Sequence, residues 1–209
     1  MDGALKRVRS APATPVLLLD VGDNIGGGSR GDSTVIVRRA RELAVRGLLA
    51  PVTDEVAAAT CHTAGVGAAV RLSLATGLGV TGGLEVTGRV RALHDGVYQD
   101  SGPTHSGQRH FDAGPTAVVT GDDATTFILT SKVVGAYSSA QLPALGLDPA
   151  EFRAVVAKGV HSPLASYGPL AAEIIQVDTP GVTSADLTRL SYIRRRRPLF
   201  PFEPDTRYP

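Results

Sequence analysis

Apolar residues along this chain recur in two patterns. Short unbroken runs at 16–19 and 48–52 are bounded by turn residues, which suits strands buried on both faces. Residues 32–46 instead show helical spacing. Ile36, Ala40, Leu43, Ala44 and Gly47 share one side, and Arg38, Arg39, Arg41 and Glu42 the other. This spacing predicts an amphipathic helix, capped by Asp32 or Ser33 and stopped by Gly47. A second helix is predicted over 55–64, capped by Thr53 or Asp54 and stopped by Gly65.

Strict alternation predicts strands at 69–74 and 84–93. The second sets Glu85, Thr87, Arg89 and Arg91 on one face and Val86 and Val90 on the other. A glycine-rich connection is expected over 76–83, a turn at Asp95-Gly96 and an exposed loop over 101–114. Runs at 116–120 and 125–132 read as a hairpin around Gly121-Asp122-Asp123. Residues 138–145 read as a short helix limited by Pro143. A buried strand is expected over 152–157, a helix over 166–173 and a last strand over 174–177, ending at Asp178.

Two βα units in succession favour an α/β fold. The expected architecture is a mixed, partly parallel sheet flanked by helices, with a β-hairpin insertion, in a single domain over 15–209. Residues 1–14 read as a linker or frayed N-terminus, and the proline-rich tail from Tyr192 as extended and docked on the surface.

Composition narrows the function classes. Of 209 residues, 21 are basic and 20 acidic, a net charge of +1, which gives no reason to expect nucleic acid or an acidic membrane as partner. The 43% hydrophobic content suits a globular core. A lone Cys61 excludes an intrachain disulfide and fits a reducing cytoplasm. No apolar run approaches the ~20 residues of a membrane span. The first residues have no apolar h-region, so no signal peptide is expected.

Candidate chemistry centres on PVLLLDVGDNIGGGSRGDST, residues 15–34, which reads as strand, glycine loop and helix start. Glycines there let backbone N–H groups approach a ligand. Gly26 and Gly31 have the spacing of a P-loop, but Asp32 stands where its lysine belongs and sets a negative charge where phosphate would sit. Asp20, Asp23 and Asp32 suit a hard cation, a metal-bound water or a substrate amine. Equally, Asp23 and Asn24 could brace the loop, with Asp32 only a cap. Lys158 and His161 follow the strand at 152–157. If that strand neighbours the first in parallel, all these groups emerge on one edge. His161 could then donate a proton or ligate, and Lys158 could steady developing charge. The alternatives are a capping histidine and a salt bridge from Lys158 to an aspartate of the loop. His62, His94, His105 and His110 form no secure ligand spacing, and no H-E-x-x-H is present.

VGDNIGGGSRGDST resembles the motif opening the C-terminal domain of the MlrC (microcystinase C) family of metallopeptidases. The resemblance continues through DGVYQDSGP, GLDP, AKGVHSPLASYGPLAAEIIQVDTPG and RRRRPLFPFEP, from Pro15 to about Pro204. It implies a two-domain zinc-dependent hydrolase of peptide or amide bonds, with the zinc ligands mainly in the N-terminal domain. It further implies that Asp20, Asp23, Asn24, Gly26, Gly27 and Gly28 face the cleft, and that Lys158 and His161 match a K-x-x-H stretch. By this resemblance the chain begins near the family's second domain. The implied partner is an N-terminal MlrC-type domain on a separate chain, or else a homo-oligomer, and zinc is not expected on this chain alone. The alternatives are a non-catalytic binding module and a phosphate-binding enzyme.

Overall fold

The computed structural model describes residues 1–75 and 83–207. The expected connection at 76–83 thus lies almost wholly outside the described residues. The chain begins with helix α1 (Asp2–Ser10), followed by β1 (Val16–Asp20), α2 (Val35–Glu42), β2 (Leu48–Thr53), α3 (Glu55–Ala64) and β3 (Ala69–Leu74). After β4 (Leu84–His94) come the short strands β5 (Val97–Gln99) and β6 (His110–Asp112), then β7 (Thr116–Gly121) and β8 (Thr126–Thr130). The last elements are α4 (Gln141–Ala144), β9 (Ala154–Ala157), α5 (Leu164–Tyr167) and β10 (Glu173–Val177).

Among the described residues, eight strands form one sheet in the order β10-β1-β9-β2-β8-β7-β4-β3. The first five are mutually parallel and the last three join antiparallel. The expected hairpin of β7 and β8 is present and adds to the main sheet beside β2. Strands β5 and β6 form a separate two-stranded ribbon inside the stretch expected to be loop.

Alternation along the parallel strands sends side chains to both faces. Val16, Leu18, Leu48, Ala50 and Val156 join one buried cluster with Ile36 and Val37 of α2, and with Ala57, Ala58 and Cys61 of α3. Leu17, Leu19, Leu49 and Val155 join another with Leu142 of α4 and Tyr167 of α5. Unbroken apolar runs are what strands covered on both faces require.

Several boundaries differ from expectation. Residues 2–10 are neither linker nor frayed. They form α1, whose Leu5 and Val8 are fully buried in the first cluster. Helix α2 begins at Val35, and Thr34 occupies the cap position without a side-chain hydrogen bond. Asp32 and Ser33 do not cap because the chain there still belongs to the loop. Asp54 does cap α3, accepting from Ala57 N. Residues 166–173 are not one helix: α5 gives way to a 3-10 turn at Gly168–Leu170, and Glu173 is already in β10. No helix among the described residues is long and apolar enough to cross a membrane.

Candidate functional site

The carboxyl ends of β1, β9, β2, β8 and β10 form one edge of the sheet. From β1 the chain passes along one face through α2 to β2. From β9 it passes along the other face through α5 to β10. Adjacent strands β1 and β9 thus send their connections to opposite faces, which makes a topological switch point. Open α/β sheets place ligands in the crevice at such a point. The residues after β1 and β9 are the glycine loop and the segment from Lys158 to Ser162.

Lys158 ties this edge together. Its Nζ lies 3.0 Å from Asp20 Oδ2 and 3.0 Å from Asp23 Oδ2, and it also donates to the carbonyl of Ser33. Its side chain is 4% exposed, and those of Asp20 and Asp23 are 0% and 5% exposed. One ammonium thereby joins the end of β1, the loop, the approach to α2 and the end of β9.

The remaining oxygens are also bonded. Thr179 Oγ1 donates to Asp20 Oδ1 and accepts from Gly22 N at 2.9 Å. Asp23 Oδ1 accepts from Gly31 N at 2.9 Å, and Oδ2 from Ser33 N at 2.8 Å. Burial opposes ionisation of Asp23, but Lys158 and the Ser33 N–H outweigh it and hold the carboxyl below its ordinary value. Burial likewise opposes the charge on Lys158, and the two aspartates more than offset it. The bracing role for Asp23 and the salt-bridge role for Lys158 are both realised in this geometry.

Two glycines are required by close approach. A Cβ on Gly22 would lie 2.3 Å from the carbonyl oxygen of Thr179. Gly31 has φ +71°, and a Cβ there would lie 2.5 Å from Ile25 Cδ1. The exposed part of the loop is Ile25–Gly27, a single 3-10 turn, followed by Gly28 at φ 100°. Gly26, Gly27 and Gly28 all face solvent. Asn24 supports them from below: its carbonyl accepts from Gly27 N at 2.9 Å and Ser29 N at 3.3 Å. Its own N–H donates to Thr183 Oγ1 at 2.9 Å.

Asp32 differs from the other two aspartates. It is half-buried, with Arg30 Nε 3.4 Å away. Burial, then the nearby Asp23 charge, pushes its carboxyl above the ordinary value. His161 is exposed and stands outside the Lys158 cluster, its carbonyl accepting from Leu164 N at 3.1 Å. Thr179 and Thr183 escape a reading built on charged residues alone. The available signal is their position just past the carboxyl end of β10.

These donors do not suit a zinc ion. Asp20 and Asp23 already serve an ammonium, and a divalent cation would have to displace it. Among the described residues no three His, Cys, Asp or Glu side chains converge as a metal site would need.

Comparison with known proteins places this edge in a family. Residues 18–194 match the family described as MlrC C-terminus. The chain belongs to that family. It is 29% identical over 204 residues to Microcystinase C of Sphingomonas sp, an alignment covering 96% of this chain and 38% of that protein. It also superposes on the crystal structure of a "Putative metallopeptidase" from Mesorhizobium sp. BNC1 with a TM-score of 0.83 at 31% identity. That match covers 97% of this MlrC-type chain and 40% of the solved one. The chain thus spans about two fifths of the length of either relative.

Proposed function

We propose that this chain is the C-terminal module of an MlrC-type metallopeptidase, in which the glycine loop forms one wall of a cleft for a peptide or amide substrate. Metal ligands would come from the part of the relatives that this chain does not span. The observation that carries this reading is the coverage: nearly all of this chain aligns to only 38% of Microcystinase C. The donor set supports it, since the acids on the sheet edge are committed to Lys158.

In this reading the residues divide into two groups. Asp20, Asp23 and Lys158 hold the loop in shape and do not touch substrate. Gly26, Gly27 and Gly28 offer a bare backbone against which an extended peptide can lie. Asp32 carries the charge at the lip, suited to a substrate amine or a water molecule. Exposed His161 supplies a proton-transfer group. Binding, orientation and proton handling are this chain's contributions.

The test is hydrolysis of linear peptides by this chain mixed with the N-terminal region of an MlrC-type relative. Activity is expected in the mixture and not in either part, with a drop of about ten-fold or more for His161→Ala. Equal activity of this chain alone would contradict the reading. A stable complex without hydrolysis would favour a binding module instead.

A further inference from the structure

Between β8 and α4 the chain crosses the same sheet edge. Val134 and Ala136 of this connection share a cavity of about 20 Å³ with Ile25, Gly31 and Lys158. Tyr137 comes next. Its N–H donates to Gly135 O at 2.7 Å, closing a three-residue turn. That turn folds the ring over Gly135, where a Cβ would lie 2.3 Å from Tyr137 Cζ. Any side chain at 135 would displace the ring. The ring also packs on His105, with centroids 5.3 Å apart and planes tilted by 42°.

The hydroxyl consequently stands by the exposed glycines. A Cβ on Gly26 would lie 3.8 Å from Tyr137 Oη. Among the described residues this hydroxyl makes no hydrogen bond. Fixing an aromatic ring costs conformational entropy, and a half-buried phenol ordinarily finds a partner for its O–H. Here the ring is fixed from two sides while the O–H is left free beside the bare backbone of the loop.

We infer that Tyr137 is a substrate-binding residue. Its hydroxyl donates a hydrogen bond to a carbonyl oxygen of a peptide or amide lying over Gly26, and His105 and Gly135 fix the ring. This rests on the reading of the loop as a peptide-binding wall. The ligand chemistry follows from the charges present. A phenol is an uncharged donor suited to a neutral amide, whereas a carboxylate would meet Asp32 and the net negative Asp20–Lys158–Asp23 cluster.

The probe is a tetra-alanine blocked at both ends, titrated into the full chain while backbone amides are followed by NMR. The Gly26, Gly27 and Gly28 amides should shift. Tyr137→Phe keeps the ring and removes only the hydroxyl, and it should weaken binding about five-fold with the rest of the spectrum unchanged. Gly135→Ala, which displaces the ring, should weaken binding at least as much. Wild-type affinity in Tyr137→Phe would overturn the assignment while leaving the loop as a peptide site. No shift of the loop glycines in the wild type would overturn the loop reading itself, and the assignment with it.

Discussion

Lys158 Nζ lies 3.0 Å from Asp23 Oδ2, with the two side chains 4% and 5% exposed. This contact joins residues far apart in sequence, and the same ammonium holds Asp20 at the same distance. Breaking a buried ion pair from one side leaves uncompensated charge, typically at a cost of about 3–5 kcal/mol. Lys158→Met keeps much of the side-chain volume and strands two carboxylates. It should lower unfolding stability by about that amount in urea titrations. A loss under about 1 kcal/mol would show that the cluster does not hold the edge together.

The pH dependence of stability follows from the same cluster. Asp23 is buried, which opposes ionisation, yet Lys158 and the Ser33 N–H hold its carboxyl below the ordinary value. Its stabilisation is complete above the unfolded-state value of about 3.9 and is lost as pH falls through the lower folded value. Lys158 is desolvated but raised by its two aspartates. Its stabilisation is complete below the unfolded value of about 10.4 and is lost as pH rises through the folded one. The cluster therefore stabilises the neutral range and weakens at both extremes. The stability gap between wild type and Asp23→Asn should narrow as pH falls below about 4. Urea midpoints across that range would show it, and a constant gap would contradict it.

Asp32 should behave in the opposite sense. Burial and the Asp23 charge raise its carboxyl, so the folded state disfavours its ionised form at neutral pH. Asp32→Asn should leave the unfolding free energy unchanged or slightly raised at neutral pH, by no more than about 1 kcal/mol given its partial exposure. In acid, where the wild-type group takes up its proton, this advantage should disappear. Clear destabilisation at neutral pH would mean that Asp32 is a bracing residue like Asp23.

The sheet was legible in the sequence because buried parallel strands demand unbroken apolar runs, as in β1 and β2. The site was legible to the extent that charged residues follow strand ends, as Asp20 and Lys158 do. What the sequence could not carry was pairing across distance. Nothing local says that Lys158 is consumed by both aspartates, or that the neutral residues Thr179 and Tyr137 border the loop. The start of α2 was misplaced because Asp32 and Ser33 are good capping residues by type. The Ser33 N–H and carbonyl are instead committed to Asp23 and Lys158.

Helix α1 gives a prediction outside the site. Leu5 is fully buried against the sheet, although the polar stretch around it reads as a tail. Leu5→Ala should cost about 2–5 kcal/mol in chemical denaturation. An unchanged midpoint would return residues 2–10 to the frayed state expected from composition.

The most direct measurement is metal content by elemental analysis after zinc loading and extensive dialysis. It should be made on this chain alone and on this chain mixed with the N-terminal region of an MlrC-type relative. Zinc retained in the mixture, with well under one equivalent on this chain, is the predicted result. A full equivalent held by this chain alone would contradict the assignment of the metal ligands to the region it does not span.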